Sequence, residues 1–341
     1  MAAAIAQRLT SIQPLWAVEG GRIAIQGSGF SLDQPHLPQV KIGDLSARTV
    51  YASPGTIAVL VPSGLDGGRT SVRVEGVTGE MAFLEVGSPL ATGLHQVDNP
   101  AFDRDGNLYV TYSGTRGQEV PVSVFRVGPS GRRESFVSGI VNPTSMAFDE
   151  AGNLYVSSRF EGSVYRVRPD GSYETFATDL GIACGLAFAR DGALYVGDRS
   201  GTIFSVQPDG TTTSVATLPS SVAAFHLAVG PDQTVYVTGP TLGPYDYVYR
   251  IDPSKPGSGN VEQLYSGFGR PQGLAFDSQG SLYVIEALAG WSGLYRLRSD
   301  GTSELVVAGQ GLVGVAFDPT GGLVVSSNET AYRLHVPIRP L

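Results

Sequence analysis

The stretch Met146–Gly171, MAFDEAGNLYVSSRFEGSVYRVRPDG, decides the fold because its pattern recurs along the chain. Six copies occur at a spacing of about 40 to 47 residues, which is typical of β-propeller blades. In each copy an Asp/Gly turn joins two strand-like runs, and a Tyr-Arg-hydrophobic strand with a Pro-Asp-Gly type of turn follows. The copies begin at Ala101, Ala147, Ala187, Ala228, Ala275 and Ala316. The repeat therefore predicts an all-β chain with a six-bladed β-propeller over residues 87–341.

Within each copy, the first strand, the second strand and the turns differ in residue type, which predicts different positions for them in the fold. The first strand, such as Ala147-Phe148, is small and suits a crowded axis, whereas the second, such as Leu154-Tyr155-Val156, carries bulk that packs between blades. Aspartates that recur with the blade are expected to accept hydrogen bonds from turn amides. They are Asp103, Asp149, Asp277 and Asp318.

The last copy leaves no room for a fourth strand. Upstream of the first copy, Glu85–Leu94 resembles the fourth-strand segments Glu134–Ile140 and Glu174–Leu180. We therefore predict that residues about 86–91 pair with 331–336, which closes the ring and hides both sheet edges. A strand rather than a flexible linker would then join the propeller to the residues before it.

Residues 8–86 lack the repeat and consist of short alternating strands separated by Gly and Pro, which predicts a small β-sandwich. Ile12-Gln13-Pro14, the run Gly20–Phe30 (GGRIAIQGSGF) and Val61-Pro62-Ser63-Gly64 carry a family pattern. On these residues the segment resembles the IPT/TIG family of immunoglobulin-like domains. That resemblance implies an interaction or spacer module.

Composition restricts the classes of partner. The chain has 341 residues, a net charge of −8 and one cysteine, Cys184, so nucleic-acid binding, an intrachain disulfide and a cysteine-cluster metal site are not expected. No apolar run approaches the roughly 18 residues of a membrane helix, so we expect no membrane insertion. The N-terminus is a poor secretory signal, which predicts a cytoplasmic protein, or a secreted one whose signal has been removed.

Across about 250 residues the repeats resemble NHL-type and SMP-30/gluconolactonase-like six-bladed propellers. The resemblance to the lactonases implies divalent-metal ligands on a column of residues around the axis. In this chain that column is Asp98, Thr144, Cys184, Phe225, Gln272 and Val313. Asp98-Asn99-Pro100-Ala101-Phe102-Asp103 is similar to the first ligand phrase of the family, so Asp98 is the candidate metal ligand. Cys184 stands where the family has an Asn, and one carboxylate falls short of the roughly six oxygens that Ca²⁺ takes.

The loops after the second strands and between blades share one face of a propeller, and here they vary most. Variable loops on a rigid scaffold are where binding usually resides, and aromatic side chains there supply contact area. The predicted ligand-binding residues are Asp98, Asn99, Thr144, Arg159, Arg199, Gln272, Tyr245, Tyr247 and Trp291.

Two functions follow. The first is a non-catalytic binding or scaffold protein that uses this face for a small molecule or a protein and needs no cofactor. The alternative is a divergent metal-dependent lactone or ester hydrolase that uses a divalent cation such as Ca²⁺, with Asp198, His226 and Glu286 as the catalytic candidates. The structural interpretation of these three is that Asp198 pairs with Arg199 or Arg159, Glu286 caps a loop and His226 is a hydrogen-bonded channel residue. The departures from the ligand column favour the binding protein.

Overall fold

A computed structural model describes residues 7–32, 37–77, 81–255, 257–287 and 291–336. These residues form 32 strands and one short 3₁₀ helix, Gly257–Asn260. The prediction of an all-β chain is therefore confirmed. The described part contains no long apolar helix of the kind that crosses a membrane.

The N-terminal strands surround one buried core. β5 joins the two halves of this strand order, because its C-terminal part pairs with β6 in the order β1-β3-β6-β5 and its N-terminal part pairs with β4 in the order β5-β4-β7-β8-β2. Ile23 and Ile25 of β3 lie in the same buried cluster as Ile42 of β4 and Leu84 of β8. The strands are β1 (Arg8–Gln13), β2 (Trp16–Ala17), β3 (Arg22–Ser28), β4 (Val40–Ile42), β5 (Leu45–Ala52), β6 (Thr56–Leu60), β7 (Gly68–Val74) and β8 (Ala82–Val86).

Four consecutive antiparallel strands form each of four sheets after residue 100. The first two sheets contain β10 (Ala101–Phe102), β11 (Leu108–Thr111), β12 (Val124–Val127) and β13 (Arg133–Val137), then β14 (Pro143–Phe148), β15 (Leu154–Ser158), β16 (Ser163–Val167) and β17 (Tyr173–Ala177). The next two contain β18 (Ala183–Phe188), β19 (Leu194–Asp198), β20 (Thr202–Val206) and β21 (Thr212–Thr217), then β22 (His226–Val229), β23 (Val235–Thr238), β24 (Asp246–Ile251) and β25 (Val261–Phe268).

A fifth four-stranded sheet is completed by a strand from the other end of the chain. β9 (Ser88–Thr92) pairs antiparallel with β32 (Thr330–Leu334), beside β31 (Leu323–Ser327) and β30 (Leu312–Phe317). The closing strand thus begins two residues later than the sequence suggested. Only Gly87 separates β9 from β8.

The predicted number of separate blades is wrong: five four-stranded sheets stand alone, not six. The remaining strands, β26 (Pro271–Phe276), β27 (Leu282–Glu286), β28 (Gly293–Leu297) and β29 (Ser303–Ala308), continue into the N-terminal strands as one twelve-stranded sheet. The cause is β2, which pairs in parallel with both β8 and β29. The amide of Val18 also donates to the carbonyl oxygen of Ala308 at 2.9 Å.

The inner strands lie around a common axis. Each of β10, β14, β18, β22, β26 and β30 contacts the next, and β30 contacts β10. Neighbouring units are joined by a second-strand tyrosine packed edge-on against the next inner-strand phenylalanine, at centroid distances of 5.2 Å for Tyr109–Phe148 and 4.9 Å for Tyr155–Phe188. Such pairs add to the burial of both rings. The predicted bulk of the second strands therefore does pack between blades.

The recurrent aspartates anchor turns, as predicted. Asp103 Oδ1 accepts the amides of Asp105 at 3.0 Å and Asn107 at 2.8 Å. Asp318 Oδ1 likewise accepts the amides of Thr320 at 2.9 Å and Gly322 at 2.8 Å. These carboxylates satisfy backbone donors that the turns would otherwise leave unpaired.

Candidate functional site

A cavity of about 260 Å³ opens at the axis, on the face that carries the loops after the second strands. Its lining combines those loops, through Arg159, Arg199 and Asn328, with the starts of inner strands, through Cys184 and Gln272. The volume lies just below the roughly 300–1,000 Å³ of pockets for drug-sized ligands, which restricts the cavity to a smaller molecule.

Arg159 and Arg199 occupy equivalent positions, each directly after the second strand of its blade. Arg199 is held by backbone oxygens: its Nε donates to Ser221 at 3.1 Å and one terminal nitrogen donates to Val222 at 2.9 Å. Neither guanidinium forms an ion pair with a carboxylate among the described residues. Burial, together with the positive charges of Arg199 and Arg116, lowers the pKa of the Arg159 guanidinium.

A buried hydrogen-bonded pair crosses the axis behind the cavity. His226 of the fourth blade lies with its Nδ1 2.5 Å from Asp98 Oδ1, at the entry of the first blade, and both side chains are buried. The same carboxylate oxygen accepts the amide of Asn99 at 2.7 Å. The other nitrogen of the imidazole, His226 Nε2, is 3.3 Å from Oε1 of Gln272, which lines the cavity. The buried pair therefore links inner strands from opposite sides of the propeller.

Side-chain amides fasten the residues around this pair. Gln96 donates to the carbonyl oxygen of Asp98 at 2.7 Å and accepts the amide of Thr111 at 3.0 Å. Asn99 donates to Leu274 and accepts from Val315, at 2.9 Å each, so it bridges two inner strands instead of facing a ligand. Sequence reasoning missed Gln96 as a cavity residue, because it precedes the first copy of the repeat.

Asp198 and Glu286 share one structural position, the last residue of a second strand. Asp198 accepts the amide of Ile182 at 2.8 Å, and Glu286 accepts the amide of Arg270 at 3.2 Å. Both carboxylates therefore hold the chain where it enters the inner strand, and neither lines the cavity. The partner expected for Asp198 is corrected: its carboxylate accepts the amides of Ile182 and Ser200 and the hydroxyl of Ser200, rather than pairing with Arg159 or Arg199.

Cys184 is a buried thiol on the cavity wall. Its Sγ donates to the carbonyl oxygen of Ile182 at 3.3 Å. Burial, with a smaller contribution from the charge of Asp98, raises the pKa of the thiol to about 12. Only the thiolate is a good nucleophile, so this residue serves as part of the wall.

The other predicted ligand-binding residues lie outside the cavity. Thr144 is fully buried and donates to the carbonyl oxygen of Asn142 at 3.2 Å. Tyr245 is exposed, and Tyr247 packs against the fourth-blade core. Trp291 stacks with Arg22 at 4.3 Å, at the junction with the N-terminal strands. Of the nine candidates, the structure brings Arg159, Arg199 and Gln272 to the cavity and Asp98 directly behind it.

The residues around the axis do not fit a metal centre of the lactonase type. Within the described ranges, no group of three or more His, Cys, Asp or Glu side chains is placed to hold a metal ion. Asp98 is engaged by His226 and an amide, and the carboxylates of Asp198 and Glu286 are engaged elsewhere. The six or more oxygens that Ca²⁺ takes are not assembled here.

Residues 8–85 match the family model of the IPT/TIG domain. No curated protein sequence matches the chain significantly. The N-terminal residues are thus similar to IPT/TIG domains, as their sequence pattern predicted.

Solved structures with similar folds cover most of the chain at low sequence identity. An auxiliary nutrient binding protein from Bacteroides ovatus is 14% identical with a TM-score of 0.55, over 97% of this chain and 98% of its own. A gluconolactonase from Xanthomonas campestris is 18% identical with a TM-score of 0.60, over 73% and 88%. A virginiamycin B lyase from Staphylococcus aureus is 12% identical with a TM-score of 0.53, over 98% and 97%. These similarities support a β-propeller fold.

Proposed function

We propose that this protein is a non-catalytic binding protein that takes a small molecule into its axial cavity. The observation that carries the proposal is the cavity itself, because side chains from separate blades converge on one concave site of about 260 Å³. Concave sites with a few convergent polar groups are the usual places for small ligands. The similarity in fold to an auxiliary nutrient binding protein supports the same function.

The polar groups next to the cavity support binding better than catalysis. His226, behind the cavity, is fully buried between Asp98 and Gln272. A general base must come within hydrogen-bond reach of the proton that it removes. With its two ring nitrogens facing protein oxygens, His226 is a structural group.

Blocking the cavity tests the proposal. Val313→Trp places an indole in the cavity lining, and we expect it to abolish binding of any small molecule found by a ligand-observed NMR screen of the native protein. Val50→Trp, on the exposed side of β5, is the matched control and should bind as the native protein does. Ligands that bind both variants equally would show that the cavity is not the site.

The alternative is a metal-dependent lactone or ester hydrolase with a divergent site, for which the similarity in fold to a gluconolactonase is the supporting observation. Its candidate groups, Asp98, Asp198, His226 and Glu286, are held by other protein groups, so the alternative requires them to be rearranged.

Metal content separates the two functions. We expect purified protein to contain well below one equivalent of Ca²⁺, Mn²⁺ or Zn²⁺ by mass spectrometry of the elements, and a panel of lactones to remain unhydrolysed. The reason is that the oxygens around the axis already accept hydrogen bonds. Stoichiometric metal that is lost in Asp98→Ala, accompanied by lactone hydrolysis, would establish the hydrolase instead.

We further propose that β26–β29 act as a sixth blade of an NHL-like or SMP-30-like ring. Their inner strand lies between β22 and β30 and contacts both. With β9 counted in the propeller, a boundary at residue 87 then divides the chain into an IPT/TIG-like sandwich at 8–86 and a propeller at 87–341.

A further inference from the structure

No carboxylate of the described protein lies within ion-pair distance of Arg159 or Arg199 at the axial cavity. Arg159 is partly buried, and the ionisable groups that act on it are Cys184, Arg199 and Arg116, none of which is a carboxylate. Arg159 also lowers the pKa of His95, after burial, which places a second titratable group under its influence. A partly buried positive charge without a partner is unfavourable in free energy unless an anion binds next to it.

This concentration of positive charge contrasts with the chain as a whole, whose net charge is −8. The arginines that do contact carboxylates lie elsewhere, for example Arg168 with Glu174 and Arg298 with Glu304, where each arginine directly follows a third strand. Arg159 and Arg199 differ because each follows a second strand directly and so projects from the rim of the axis. Positive charge in a concave site attracts anions more strongly than the same charge on a flat surface does.

The donors and the walls restrict the class of anion. Arg199 donates from Nε and one terminal nitrogen to backbone oxygens, which fixes the plane of its guanidinium. The guanidinium of Arg159 forms no hydrogen bond within the described residues. A planar guanidinium fork matches the two oxygens of a carboxylate. The rest of the wall is largely apolar, with Ile182, Val222 and Val313. An apolar wall suits a hydrocarbon body rather than a fully hydrated anion.

We infer that the axial cavity binds a small carboxylic acid, with its carboxylate on Arg159 and Arg199 and its apolar body against Ile182, Val222 and Val313. The inference rests on the proposed binding function and specifies its ligand class. Gln272 lies on the same wall and supplies a side-chain amide to a polar substituent on that acid.

Isothermal titration with defined probes tests the inference. The probes are butyrate, 2-oxobutyrate and benzoate, with butyramide as the uncharged counterpart of butyrate and inorganic phosphate as a hydrated anion. We expect at least one carboxylate to bind, butyramide and phosphate to bind at least tenfold more weakly, and Arg159→Gln and Arg199→Gln each to weaken the carboxylate at least tenfold. Arg168→Gln removes a positive charge from the turn that follows β16, where Arg168 pairs with Glu174, and should leave the affinity unchanged.

The outcomes separate the ligand class from the function. If no carboxylate binds, or if Arg159→Gln and Arg199→Gln bind it as tightly as Arg168→Gln does, the inference is overturned. If butyramide binds as well as butyrate and Val313→Trp abolishes both, the binding function stands and the carboxylate class fails. A thermal unfolding scan of each variant checks that lost binding does not reflect lost folding.

Discussion

Replacing Ser88–Thr92 with a Gly/Ser sequence of equal length should lower the midpoint of propeller unfolding by about 10 to 20 °C, or abolish its cooperative transition. β9 is the only described strand from upstream of the repeat that pairs with β32. Ala91 is buried against Val324 and Ala331, so the replacement removes apolar contacts as well as strand pairing. The exposed edge of β32 would then be free to pair with other chains. Differential scanning calorimetry measures the effect.

Single substitutions within β9 provide the matched control. Ala91→Asp buries a charge in the closing sheet and should reproduce much of the destabilisation, whereas Thr92→Asp, at the exposed next position, should have little effect. Equal midpoints for the two variants, or a Gly/Ser replacement that unfolds like the native protein, would show that the ring does not depend on β9.

The sequence predicts the blades well because their determinants are local and repeated. A turn aspartate with its amide partners, or a tyrosine next to an inner-strand phenylalanine, is specified within one or two copies of the repeat. The closing strand is also recognisable, because Glu85–Leu94 keeps the pattern of a fourth strand. The joining of β26–β29 to the N-terminal strands cannot be recognised in the sequence, because the two residues of β2 pair in parallel with strands far away in sequence.

The site is less predictable than the fold, for a geometric reason. Arg159 and Arg199 are recognisable as rim residues because they hold the same position in consecutive copies. Trp291 sits in an equally variable loop but stacks on Arg22 of the N-terminal unit, a contact that depends on how the two units pack. Asp98 and His226 are 128 positions apart and meet only because the ring brings opposite blades together.

Substitutions in the Asp98–His226 pair are expected to have the second large effect on the stability of the protein. Asp98→Ala and His226→Ala should each lower the free energy of unfolding by about 3–5 kcal/mol, because each leaves a buried polar group without its partner. The double variant should cost clearly less than the sum of the two, since neither unpaired group remains. Urea unfolding followed by tryptophan fluorescence, with the three variants measured together, gives the cycle.

An exposed ion pair is the control for this cycle. Asp44 lies 3.1 Å from Arg73 in solvent, so Asp44→Ala should leave the unfolding midpoint unchanged. Additive losses in the Asp98–His226 cycle, or single losses no larger than that of Asp44→Ala, would show that the two side chains do not stabilise each other. If Asp98→Ala and His226→Ala show this coupling but bind the ligand of the cavity as tightly as the native protein, stability and binding depend on different residues at the axis. The buried pair would then hold opposite blades together, while the arginines above it do the binding.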